Sequence, residues 1–163
     1  MNDWRIREAT QHDLPTLERI RAAAFAPIFA SFRDLLGDSL YEIVQAREDE
    51  EQSTLLTSLL VPASPWQLHV AEGAEGIVGF VAFQLNRESR VGEIGLNAVD
   101  PVHSGQGVGT LMYEFALSRM KAAGMRAATV ATGADESHAP ARHAYEKVGF
   151  SKTIPSVWMC REL

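Results

Sequence analysis

The segment Ser104-Gly105-Gln106-Gly107-Val108-Gly109-Thr110 constrains this chain more than any other. Before it, Val91 to Val99 reads as a β-strand that stops at Asp100-Pro101. After it, Val108, Leu111, Met112, Phe115, Met120 and Ala123 recur at helical spacing, so the order is strand, glycine loop, helix. Glycines give the backbone conformations that side chains forbid and let a ligand approach the main chain, while the amides of the first helical turn point outward unpaired. A phosphate fits such a place. A tight turn needing glycine for geometry alone explains the same residues, so the loop by itself does not decide. Two common phosphate loops fail here. A dinucleotide fingerprint counted from Gly105 and Gly107 meets Thr110 where glycine is required, and a Walker loop needs a lysine that is missing between Arg90 and Lys121. What remains is an anion held mainly by main-chain amides.

The rest of the chain supplies the frame. Trp4 to Thr10 reads as a strand. Asp13 as N-cap, Pro15 in the first turn and Leu14, Leu17, Ile20, Ala24 and Phe25 at helical spacing predict a helix that Pro27 ends or bends. A second helix is expected over Leu40 to Leu60, closed by Pro62 and Pro65. The period then changes to two, with Trp66 to Glu72 and Ile77 to Leu85 as an antiparallel hairpin and Val91 to Val99 as a third strand. Beyond the loop helix, which Gly124 stops, come a strand Ala127 to Thr132, a helix Pro140 to Val148 stopped by Gly149, and a last strand Ser151 to Arg161. The expected class is α/β (α+β), a mixed, mostly antiparallel central sheet flanked by helices, forming one domain over residues 1–163. The unit from Val91 to Thr132 should be a right-handed parallel crossover, whose ligands lie beyond the carboxyl end of its first strand, at Asn97 to Val99.

Composition narrows the classes. The net charge of −6 disfavours general nucleic-acid binding, because phosphate contacts dominate that affinity. Residues 1–102 carry 8 basic and 16 acidic side chains and residues 103–163 carry 7 and 5, so the acidic half suits a cationic ligand and the basic half an anionic one. No apolar run approaches a membrane span. A single cysteine, Cys160, and the lack of a signal-peptide pattern in the first twenty residues make a cytoplasmic location the expectation. Scattered histidines without a second ligand at metal spacing give no metal site. A homodimer is left open.

Two motifs at a fixed separation carry a resemblance. Val99-Asp100-Pro101 followed by Ser104-Gly105-Gln106-Gly107-Val108-Gly109 resembles the cofactor loop of the GNAT N-acetyltransferase superfamily, Arg/Gln-x-x-Gly-x-Gly/Ala after Val-x-Pro, with Ser104 departing at the first position. His138-Ala139-Pro140-Ala141 with Tyr145-Glu146-Lys147-Val148-Gly149-Phe150 resembles the family's second segment, His138 standing where asparagine is frequent. The likeness is specific from about Val91 to Phe150 and loose before Trp66.

The resemblance implies acetyl-CoA as co-substrate and no metal. It places the diphosphate on Ser104, Gly105, Gln106, Gly107, Val108, Gly109 and Thr110, and the pantetheine arm along Asn97, Ala98 and Val99, with His138 ordering the loop or bonding the cofactor. It also implies that the strand carrying Val91 to Val99 parts from Ala127 to Thr132, leaving an N–H near Ala98 or Val99 to polarise the thioester carbonyl. An acceptor amine then attacks the thioester directly. Tyr145 falls at the family's position for the acid that protonates the leaving sulfur. Glu93, read as sharing strand parity with Asn97, resembles the strand glutamate that some members use as base. His103 lies at the diphosphate end, roughly 20 Å from the reacting atoms by strand rise, and geometry disfavours it. Direct transfer needs no Cys160 thiol.

The acceptor is the least legible part. Phe25 to Pro65 matches nothing specific, and Asp34, Asp38 and Glu42 suit a cationic amine, whether a small molecule or a peptide. A non-catalytic acyl-CoA sensor would keep the glycine loop and need neither Tyr145 nor a base.

Overall fold

Alternating apolar residues build five strands that lie side by side in the order in which the chain makes them. The computed structural model describes residues 3–163. The strands are β1 (Arg5–Glu8), β2 (Trp66–Gly73), β3 (Gly76–Asn86), β4 (Val91–Val99) and β5 (Ala127–Val130). Neighbours from β1 to β4 are antiparallel, whereas β4 and β5 are parallel and joined through a helix. The sheet is thus mixed and mostly antiparallel, as expected.

Helices cover both faces. On one lie α1 (Leu14–Val44) and α2 (Ala46–Leu59), on the other α3 (Val108–Ala122) and α4 (Ala139–Lys147). Leu17 and Ile20 of α1 pack on Leu68, Val70, Phe80, Ala82 and Ala98. Val81, Phe83 and Ile94 point the other way, onto Val108, Met112, Tyr113, Ala116 and Met120 of α3 and Tyr145 of α4. The buried stripe of α3 therefore includes Tyr113 and Ala116, while Leu111 and Phe115 lie at its margin. Phe80 and Phe83, close along β3 but on opposite faces, are both fully buried. Truncating either to alanine costs about 3–5 kcal/mol.

Three expectations are corrected. Of the two outcomes expected of Pro27, to end the helix or to bend it, the first is excluded, since Pro27 lies inside α1 and the backbone leaves the helical region at Gly37, with φ 73°. A proline removes one helical hydrogen bond, but α1 is held on both sides of it, by Ala24 and Phe25 on the sheet and by Ser31 on Asp135. The helix expected over Leu40 to Leu60 is divided at Gln45, so that Tyr41 closes α1 and its hydroxyl donates to buried Asp49 of α2 at 2.5 Å. Finally, Ser151 to Arg161 form no strand. Pro155 has no N–H for a ladder, and the segment runs exposed, with Ile154 96% and Trp158 65% accessible, until Ser39 donates to Glu162 at 3.2 Å.

Candidate active site

The site is laid out by the end of β4. β4 pairs with β5 only from Val91 to Ile94, and β5 ends at Val130, shorter than the sequence suggests. From Gly95 onward β4 continues alone on that side to Val99. The amide of Asp100 bonds back to Val78 on β3 at 2.8 Å. Strand amides alternate in direction, so the Ala98 N–H faces β3 and the Val99 N–H faces the gap. Of the two amides expected to meet a ligand there, the fold selects Val99.

A β-bulge decides which side chains look into this gap. Val81 pairs with Asn97 but Phe83 pairs with Ile94, so β4 carries one more residue than β3 over this stretch. The extra residue turns Asn97 onto the α3/α4 face, beside Ile94. Glu93 goes to the α1/α2 face, where it accepts from Gln84 at 2.7 Å. The expectation that Glu93 and Asn97 share a face is therefore overturned, because simple alternation fails across a bulge.

Asn97 is the hub of a three-residue network. Its Nδ2 donates to the Gly95 carbonyl at 2.9 Å and to the Tyr145 hydroxyl at 3.0 Å, while the Tyr113 hydroxyl donates to its Oδ1 at 2.7 Å. The Gly95 carbonyl is an acceptor only, which fixes the amide's orientation. Burial, with a smaller contribution from Tyr145, holds Tyr113 well above the usual phenol range, so it stays protonated and donates. The Tyr145 oxygen receives a hydrogen bond from Asn97 and lies close to the Tyr113 hydroxyl. The two phenol rings pack at 4.6 Å between centroids, tilted by 35°, and Tyr145 is buried. Tyr113 escaped the sequence reading because a tyrosine on an apolar helical stripe reads as packing; its spacing one turn beyond Gly109 was the available signal.

Below the gap lies the glycine loop. Asp100 receives Val102 N–H at 3.2 Å and Arg19 at 2.9 Å, which fixes the short 3₁₀ turn Pro101–His103. Ser104 and Gln106 turn their amides to the carbonyls of Pro101 and His103, closing the loop on itself. Gly105 and Gly107 adopt φ of 74° and 90°, and a Cβ at either would meet nothing within 4 Å. Glycine is needed there for backbone conformation, and the space outside it is open. Gly107 caps α3 without a side-chain hydrogen bond. The amides of Val108, Gly109 and Thr110 are thus those of an uncapped first turn, without acceptors in the helix. An anion fits there.

On the far side, the turn after β5 carries His138. Its Nδ1 lies 2.6 Å from Asp135 Oδ1, and Asp135 also accepts from Ser137 and, at 3.3 Å, from Ser31 of α1. His143 turns its Nδ1 to the Ala139 carbonyl at 2.8 Å. Among the described residues no group of three His, Cys, Asp or Glu is placed to hold a metal, and no helix is long and apolar enough to cross a membrane.

A mixed sheet opened beside a helix that starts at a glycine without a side-chain cap defines an α/β fold with an anion-accepting strand–loop–helix unit, and comparison with known proteins gives the family. The model of the Acetyltransferase (GNAT) family matches residues 29–150, and the chain belongs to that family. The search of curated proteins gives no match. Among solved structures, a transcriptional regulator from Bacillus halodurans C-125 is 21% identical, covering 97% of this chain and 99% of its own, with a TM-score of 0.66. The ribosomal-protein-S18-alanine N-acetyltransferase from Escherichia coli is 17% identical over 93% of this chain and 79% of its own, TM-score 0.67. A GNAT family acetyltransferase from Brucella melitensis, solved in complex with acetyl-CoA, is 18% identical over 95% and 93%, TM-score 0.62. At such identities these structures share the fold.

Proposed function

We propose that this protein transfers an acetyl group from acetyl-CoA to an amine acceptor by direct attack of the amine on the thioester. The observation that carries the reading is the parting of β4 from β5 at Ile94 and Val130, with the Asn97-held Tyr145 hydroxyl beside the opening and the uncapped start of α3 at its end. The acetyl-CoA complex of the Brucella melitensis relative supports the co-substrate, and the name of the Escherichia coli relative supports an amine as acceptor.

In this reading the amides of Val108, Gly109 and Thr110 hold the diphosphate, with Gly105 and Gly107 giving it access to the main chain. Val99 N–H hydrogen-bonds the acyl carbonyl oxygen, stabilising the negative charge that builds there as nitrogen attacks. Tyr145 gives its proton to the departing sulfur. Glu93, a carboxylate on the α1/α2 face of the same strand, attracts a cationic amine.

The test is a screen of amines and short peptides with acetyl-CoA, reading free thiol release. Turnover with at least one amine is expected. Binding of acetyl-CoA without turnover of any amine would make the protein an acyl-CoA sensor instead.

A further inference from the structure

We infer that His138 is the base that takes the proton from the acceptor amine, with Asp135 as the residue that positions it. The inference rests on the acetyltransferase reading and adds to it the group that reading leaves unassigned.

Asp135 Oδ1 lies 2.6 Å from His138 Nδ1. Burial opposes the charge on Asp135, but hydrogen bonds from Ser137 and His138 outweigh it and hold the carboxyl below its ordinary range. An ionised carboxylate only accepts, so the proton of a neutral His138 ring sits on Nδ1 and the lone pair on Nε2. That is the tautomer a base requires.

The pair is also held still. Arg142 donates to the carbonyls of Gly133 and Asp135 at 2.7 and 2.6 Å, and a Cβ at Gly133 would overlap His138 Nδ1, so the turn closes on the ring only because that residue is glycine. From the opposite side α1 reaches over with Ser31 on Asp135 and the Phe32 ring 6.0 Å from the imidazole. In this inference the amine enters between α1 and the end of β5, where Phe32 and Ser31 bring α1 against the pair.

Placement relative to the acid agrees. His138 is the N-cap of α4, at the end of the 3₁₀ turn Glu136–His138, and Tyr145 lies seven residues further on, about 10 Å along the axis. In this inference Tyr145, held by Asn97, serves the sulfur side of a thioester in the gap and His138 serves the acceptor side. Glu93 is worse placed. It lies where β4 is still paired to β5, opposite Thr129, with its carboxylate engaged by Gln84.

The step balances. The N–C bond forms as the C–S bond breaks, the amine proton passes to His138 Nε2 directly or through one water, and the Tyr145 proton passes to sulfur. Both side chains then exchange with solvent. The charged groups around His138 are Asp135, Arg142 and, on the same turn, Glu136; α1 presents the neutral Ser31 and Phe32.

The experiment uses the full chain and one amine found by the screen. It measures the pH profile of kcat for wild type, His138→Gln, Asp135→Asn and Glu93→Gln, with acetyl-CoA affinity by calorimetry and thermal melting alongside. Comparing variants on one amine cancels the titration of the amine itself. The expected result is a roughly 10²- to 10⁴-fold fall in kcat for His138→Gln with loss of the acid limb, a smaller fall in the same direction for Asp135→Asn, and unchanged affinity for acetyl-CoA in both. Were His138 instead to order the loop or bond the cofactor, as the resemblance implies, the variant would lose melting temperature or coenzyme affinity and keep the profile's shape, which overturns the inference, as does an acid limb that disappears in Glu93→Gln instead. Should His138→Gln fail to fold, the Asp135→Asn profile decides by the same criteria. Failure of the wild-type chain to bind acetyl-CoA overturns the acetyltransferase reading and this inference with it; turnover with an unchanged His138→Gln profile overturns the inference alone.

Discussion

The Asn97 amide nitrogen stands 3.0 Å from the Tyr145 hydroxyl oxygen and donates to it. In the proposed reaction the phenol, held by this bond, gives its proton to the departing sulfur. Removing only the hydroxyl, in Tyr145→Phe, keeps the tilted ring packing on Tyr113. The expected outcome is a 10²- to 10⁴-fold loss of kcat with little change in acetyl-CoA affinity, checked by steady-state kinetics and calorimetry.

Asn97 itself is expected to matter for stability as well as turnover. Asn97→Ala strips the buried Tyr113 hydroxyl of its acceptor at 2.7 Å. Leaving such a group unsatisfied costs about 1–3 kcal/mol, measurable as a lower urea midpoint at unchanged slope. Adding Tyr113→Phe removes the stranded hydroxyl too, and the double variant should recover part of the loss.

The loop glycines are not equivalent. Gly107 has φ 90° and open space where a methyl would project, so Gly107→Ala costs conformational strain alone, about 1–2 kcal/mol. At Gly109 a methyl would sit 3.7 Å from the Tyr113 ring in ordinary contact, so Gly109→Ala should leave the ligand-free protein as stable or more so. Denaturant titration compares the two. Gly107→Glu should abolish acetyl-CoA binding through bulk and like charge, read by calorimetry.

Stability should fall on mild acidification because of His69. Its ring is packed 5.4 Å from that of Phe83 and 4.8 Å from that of Phe115, with Nδ1 unpartnered, and burial lowers its pKa from the ordinary value. The unfolded chain therefore takes up a proton before the folded one does. The contribution is complete above the unfolded imidazole value, about 6.5, and is lost as pH falls through it towards the lower folded value. His69→Leu should flatten the melting temperature between about pH 7.5 and pH 5. A second decline at lower pH should survive in that variant: the hydrogen bond from Arg7 holds Asp13 far below the usual carboxylate range, and that stabilisation is lost as pH falls below the unfolded value of about 3.9.

What could be read without the fold was whatever a short stretch of chain decides alone. The positive φ at Gly105 and Gly107, the helix start at Val108, its stop at Gly124 and the alternation of β2 and β3 are requirements of neighbouring residues, and they placed the loop and Tyr145 correctly in sequence. Tertiary structure decided the rest. The bulge that separates Glu93 from Asn97 exists only in the pairing of β4 with β3, the persistence of α1 through Pro27 depends on packing either side of it, and Ser151 to Arg161 run unpaired although their apolar content reads as a strand. Tyr113, Asp135 and Ser31 act through partners distant in the chain. Local backbone preference is set within a few residues, whereas the direction a side chain faces, and whom it meets, is set by neighbours that only folding brings together.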